Sequence, residues 1–154
     1  MNRTRRQLVA AGAGLGAFGW ARVAMAANMS TPISDELAAL ITQYAGGVIV
    51  RAGKVNFDIA ELVENGNTVP VTITVESPMS AAEHVRSIAI FNERNPQRDV
   101  ARFALGPRAG RAVVTTRIRL ATSQHLVAVA QLSDGSYWSH TVEVLVTLAA
   151  CVET

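Results

Sequence analysis

The chain has 154 residues and a single cysteine, Cys151. A lone thiol can close no internal disulfide, so its chemistry has to involve another molecule. Aromatic residues make up only 5% of the sequence, and of the two tryptophans Trp20 falls in the first 26 residues. That leaves no aromatic platform for a sugar, so Glu61, Glu64 and Glu76, read as part of a hairpin region, do not form a glycosidase-like acid/base pair. There is no lysine-rich run, and the arginines are interspersed with acids, which excludes an extended nucleic-acid surface. The three histidines, His84, His125 and His140, sit in separate segments without HxH or HxxxH spacing. Each reads as an ordinary surface or strand histidine, and neither a metal nor a cofactor is expected. A glycine-rich phosphate loop and a nucleophile elbow are also missing.

Long apolar runs are lacking too. The most apolar stretch, Leu8 to Trp20, spans 13 residues, short of the roughly 20 that cross a bilayer as a helix. It follows the adjacent pair Arg5-Arg6 and ends near the small-x-small pattern Ala24-Met25-Ala26. Residues 1–26 therefore read as a twin-arginine signal peptide, with an uncleaved anchor or a general secretory signal as alternatives, and the remainder as a periplasmic domain. Of the 14 basic residues, Arg3, Arg5, Arg6 and Arg22 lie in that leader, together with none of the 12 acids. The remaining chain is thus slightly acidic, with a net charge of about −2.

Residues 27–45 hold the one convincing helix. Thr31 is the expected cap and Pro32 the first helical residue, Asp35 and Glu36 suit the amino-terminal dipole, and Leu37, Leu40, Ile41 and Tyr44 recur at helical spacing before Gly46-Gly47. Residues 46–148 read as β-strands. Glu64-Asn65-Gly66-Asn67 is a turn whose Asn-Gly pair accepts positive φ. Val71, Ile73 and Val75 alternate with Thr72, Thr74 and Glu76. Further strands are expected over 48–51, 55–59, 86–91, 100–105, 111–120, 125–132 and 137–148. Seven or eight strands with this turn spacing give an all-β fold, an immunoglobulin-like antiparallel β-sandwich with a short N-terminal helix. The last two strands carry apolar residues on both faces, Leu145 against Val144 and Val146, and Val127 and Val129 against Leu126 and Ala128. Either the helix or a docked partner subunit has to cover the second face.

Arg108 and Arg111 flank a turn, and Arg117 and Arg119 share one strand face; they form either an oxyanion site or, more simply, a solvated face. Cys151 lies on a C-terminal arm, residues 149–154, beyond the last strand. A thiol of ordinary pKa, about 8.5, holds a few per cent thiolate near neutrality, enough to attack sulfur compounds without a dedicated base. The competing reading is a small buried hydrophobe.

Several segments then match a known family in order: Glu64 to Val71 (ENGNTVPV), Val75 to Met79 (VESPM), Phe91 to Pro96 (FNERNP), Gly106 to Arg111 (GPRAGR), Thr115 to Ala121 (TTRIRLA) and Leu132 to Trp138 (LSDGSYW). Over the whole sequence after residue 26 the chain resembles SoxY, the sulfur-carrier subunits of the periplasmic thiosulfate-oxidising system. The resemblance implies a carrier and not an enzyme, with Cys151 as the site of covalent sulfur attachment. It also implies a heterodimer with a SoxZ-like subunit, for which the doubly apolar last strands are candidate interfaces. Visits to a haem c-containing conjugating enzyme, a thiosulfohydrolase and a sulfane dehydrogenase are implied as well. The family's arm typically reads Gly-Gly-Cys-Gly-Gly, whereas this one reads Ala149-Ala150-Cys151-Val152-Glu153, stiffer, wider and more acidic. A paralogue acting as a non-carrier binding or structural module is the alternative.

Overall fold

A computed structural model of the chain describes residues 32–150. The expected signal peptide, the expected cap Thr31 and Cys151 itself lie outside them. In chain order the described elements are α1 (Asp35–Tyr44), β1 (Val50–Ala52), β2 (Val55–Asp58), β3 (Leu62–Val63), β4 (Val69–Val75), β5 (Val85–Asn92), β6 (Asp99–Ala104), β7 (Val113–Ile118), β8 (Gln124–Leu132) and β9 (Tyr137–Val146), with a 3-10 turn at Pro107–Ala109. The larger sheet runs β1-β9-β8-β5-β6 with β3 also paired to β9, and the smaller runs β2-β4-β7. The pairings are antiparallel except for β1 and β3, which run parallel to β9. The expected β-sandwich with one short helix is therefore the fold.

Alternation explains the layer between the sheets. Val71, Ile73 and Val75 of β4 are buried there against Ile88 and Ile90 of β5, Leu126 and Ala128 of β8 and Val144 of β9. The opposite faces of β5 and β8 are apolar as well, and α1 is what covers them. Leu37, Ile41 and Ala45 pack on Ala89, Phe91, Val127 and Val129. The Tyr44 ring meets Phe91 edge-on at 5.3 Å and Tyr137 at 5.9 Å. Of the two covers considered for β8, the helix is the one present. On β9 the outward Leu145 stays 54% exposed beside its register partner Leu62, at 59%.

Two local expectations are corrected. The helix starts at Asp35, capped by Ser34, whose Oγ accepts from the Leu37 N–H while its backbone is still extended (φ −63, ψ 151). The reason is tertiary: the Ser34 N–H donates to Glu93 Oε1 at 2.7 Å, which holds the chain out of the helix three residues longer than the Thr-Pro pattern suggests. The helix does stop where expected, with Gly46 and Gly47 at φ +61 and +81 and the Gly47 N–H donating to Thr42 O.

Residues 59–67, for their part, form no hairpin. The chain leaves the smaller sheet after β2, crosses to lay β3 alongside β9, and returns for β4. A two-residue strand is too short to show a period, which is why it escaped the sequence reading.

Because Leu37 is fully buried between α1 and the sheet, Leu37→Ala is expected to cost roughly 2–5 kcal/mol, read as a lower denaturant midpoint with the β-sheet circular dichroism retained below it.

Candidate functional site

The thiol expected to carry the chemistry is the residue after the last one described, so the site is built from what holds its root. Past Val146 the chain does not run free. The Thr147 N–H donates to Val63 O at 3.0 Å, and Thr147 Oγ1 donates to Glu64 O at 3.1 Å. The Gly66 N–H then donates to Leu148 O (2.8 Å), the Leu120 N–H to Gly66 O (2.8 Å) and the Ala150 N–H to Leu120 O (3.1 Å). Three segments distant in sequence thus share one chain of backbone hydrogen bonds that ends on the residue before Cys151. Ala150 is only 6% exposed and Leu120 is fully buried.

Gly66 makes this clasp possible by what it lacks. A Cβ there would lie 2.3 Å from Leu120 O, 3.0 Å from Ala150 N and 3.2 Å from Val146 Cγ1. Its φ is not among the positive values found in the chain, so the Asn-Gly pair is not needed for the left-handed backbone expected of it. The requirement is close backbone approach. Asn65 Oδ1 shapes the turn instead, accepting from the Asn67 N–H at 3.0 Å.

The segment around Leu120 is itself held from the β5–β6 loop. Asn95 Nδ2 donates to Arg119 O at 2.8 Å, while Asn95 Oδ1 accepts from the Ala121 N–H at 3.0 Å and from Gln124 Nε2 at 2.7 Å. Gln124 Oε1 in turn accepts from the Arg94 N–H, and Ser123 Oγ accepts from the Val146 N–H, both at 2.8 Å. The polar residues of Phe91 to Pro96 therefore brace the loop on which the clasp hangs.

Glu93 in the same run has a different task. Besides capturing Ser34, it accepts from His125 Nδ1 at 2.9 Å through Oε2. Burial alone would raise its pKa, but the hydrogen bonds from His125 and Ser34 outweigh that and hold it at about 2. His125 lies in strand β8, one of the two settings the sequence suggested, and is buried there. Among the described residues its Nε2 has no hydrogen-bond partner, and it stands 4.0 Å from Glu143. The neighbouring fully buried Asn92 side chain likewise has no partner among the described residues. Sequence reading missed Glu93 and His125 as a pair because 32 residues separate them.

The other candidates do not converge. His140 Nδ1 accepts from the Phe57 N–H and so bridges the two sheets, and His84 Nδ1 meets Ser80 O at 3.2 Å. Among the described residues no three His, Cys, Asp or Glu side chains come together as a metal site. Arg108, Arg111, Arg117 and Arg119 are all exposed and, among the described residues, none makes an ion pair, which is the solvated face and not a built oxyanion site. Trp138 is flanked by the Lys54 ammonium at 5.1 Å and the Arg51 guanidinium at 5.8 Å. An open, mostly apolar groove of about 360 Å³ lies between α1 and β1, lined by Ile41, Val48, Ile49 and Val50. It includes Ser139 and Thr141, toward the opposite end of β9 from the clasp.

Comparison with known proteins gives the family. The family model described as "Sulfur oxidation protein SoxY" matches residues 41–151, so its last matched position is Cys151. The structure of the sulfur carrier protein SoxY from Chlorobium limicola f thiosulfatophilum is similar at 30% identity and a TM-score of 0.61, covering 73% of this chain and 96% of that one. A superoxide reductase (neelaredoxin) from Ignicoccus hospitalis aligns at 23% identity and a TM-score of 0.54 over 61% of this chain and 80% of that one. A putative superoxide reductase from Thermotoga maritima does so at 20% and 0.52 over 64% and 87%. These two likenesses are of fold alone. No curated protein matches the sequence.

The depressed Glu93 pKa carries a sign. A carboxyl that titrates near 4.5 unfolded and about 2 folded stabilises the fold fully above the first value and stops doing so as pH falls through the second. Glu93→Gln is expected to lower stability at neutral pH by roughly 2 kcal/mol and to flatten the loss of stability between pH 4.5 and 2, followed by thermal unfolding across that range.

Proposed function

The chain belongs to the SoxY family of sulfur oxidation proteins, and from that premise we propose that it is a sulfur carrier whose covalent attachment point is Cys151. The observation that carries the reading is the coincidence of two facts at one position. The family match runs through residue 151, and the chain's single cysteine stands there. Support comes from the architecture, a β-sandwich whose last strand delivers the C-terminal segment past Ala150.

The chemistry asked of the protein is small. Joining the thiol to the outer sulfur of thiosulfate forms one S–S bond and releases one proton and two electrons, and an oxidising partner enzyme has to take the electrons. The carrier supplies the nucleophile and its placement, while the catalytic groups belong to the enzymes it meets. In this reading the chain is exported to the periplasm by residues 1–26. It pairs with a SoxZ-like subunit and presents its loaded thiol in turn to a haem c-containing conjugating enzyme, a thiosulfohydrolase and a sulfane dehydrogenase. An ordinary thiol is sufficient, because the enzymes provide activation.

Intact mass spectrometry of the protein purified from thiosulfate-grown cells, before and after reductant, tests the assignment. Reductant-labile sulfur or thiosulfonate adducts mapping to Cys151 are expected, and Cys151→Ser is expected to carry none while folding normally. A bare thiol under those conditions would overturn the carrier reading in favour of a binding or structural module.

A further inference from the structure

The clasp at Gly66 joins three segments at the end of the sandwich, where Leu120 belongs to the core, and its hydrogen bonds continue past β9 to the last residue before the thiol. The Ala150 N–H is held on Leu120 O, so the last described residue before the thiol is a buried anchor one peptide link, ~3.8 Å between α-carbons, from Cys151. Opening the clasp would release residues 147–150 and add about 13 Å of reach.

The glycine-free sequence on the amino-terminal side of the thiol fits the closed state. Ala149 and Ala150 add nothing to flexibility, and Ala150 is buried.

We propose that Gly66 is a positioning residue for Cys151. By admitting Leu120 O where a Cβ would stand, it pins the root of the arm, so that the thiol is offered at one fixed point of the sandwich. Partner enzymes then have to receive that end of the protein and not a long swinging tail. The inference rests on the carrier reading and adds a requirement to it: a reactive thiol is insufficient unless its root is held. Anchoring of this kind acts on the productive geometry of the thiol in the partner's site, where displacements of about 1 Å can cost on the order of a hundredfold. It leaves the intrinsic reactivity of the thiol toward small reagents untouched.

The test compares wild type, Gly66→Ala and Val71→Ala, the last a core truncation in β4 outside the clasp. Three quantities are read: amide hydrogen exchange at Ala150, the rate at which iodoacetamide alkylates Cys151 in the native protein, and the fraction of Cys151 carrying reductant-labile sulfur in protein from thiosulfate-grown cells.

For Gly66→Ala the expected result is loss of Ala150 protection, alkylation within about twofold of wild type and a loaded fraction at least about tenfold lower. Val71→Ala is expected to lose stability and keep its loading. Wild-type loading in Gly66→Ala despite an unprotected Ala150 amide overturns the proposal, and so does an equal loss of loading in Val71→Ala. Full Ala150 protection in Gly66→Ala also overturns it, because the clasp would then have absorbed the methyl group. Should Gly66→Ala fail to fold, Thr147→Val removes the side-chain bonds to Glu64 O and Val63 O and keeps the backbone. A severalfold drop in loading at unchanged alkylation supports positioning, and unchanged loading overturns it. An unloaded wild type sinks the carrier reading itself, an outcome distinct from all of these.

Discussion

The carbonyl of Leu120 occupies the place where any residue but glycine at position 66 would put its Cβ, and the whole C-terminal end of the sandwich depends on that approach. Remove it and the relay from Leu148 through Gly66 and Leu120 to Ala150 is broken at its centre. Each hydrogen bond of this kind contributes only about 0.5–1.5 kcal/mol net, but a buried group left without a partner costs about 1–3 kcal/mol. Leu120 and Ala150 are buried. The penalty for opening is therefore larger than the bonds alone suggest, and the last strand is extended by a tail that behaves as part of the body.

The two sheets reach this point by different physical routes. Val71, Ile73 and Val75 make a dry inter-sheet layer by period-2 alternation, which needs no particular partner. The outer face of β5 and β8 is covered by α1, and its docking is specific: one carboxylate, Glu93, receives the backbone of Ser34 and the ring of His125 together. Asn95, two residues on, turns the other way and fixes Arg119 and Ala121. A single loop after β5 thus orients the helix on one side and the thiol's root on the other, which gives the FNERNP segment two structural tasks in six residues.

What could be read from the sequence follows the range of the physics involved. The strands were visible because alternation and turn residues are local, and the helix because Leu37, Leu40, Ile41 and Tyr44 recur within ten residues. The cap was misplaced because Ser34 is held by a glutamate 59 positions away. Gly66 was recognised as a turn glycine but for the wrong reason, since the atoms that exclude a Cβ belong to residues 120 and 150. His125 looked ordinary because neither its burial nor its partner leaves a trace in spacing. Cys151 stands out for the opposite reason: its uniqueness in the sequence requires no structure to be noticed.

A carrier faces opposing demands on its arm. Reach favours glycine and length, but each residue ordered inside a partner's site then costs roughly 1–2 kcal/mol of backbone entropy. A root ordered in the free protein has met that cost during folding, so less is lost at each encounter. An Ala-Ala root bound to Leu120 lies toward the pre-ordered end of this range. It gives up reach, which under the proposed carrier reading shifts the burden of approach to the partner: an enzyme serving the thiol would have to accommodate the Gly66, Leu120 and Ala150 end of the sandwich at close range. On that reading shape at that end, more than flexibility of the arm, sets which enzymes exchange sulfur with it.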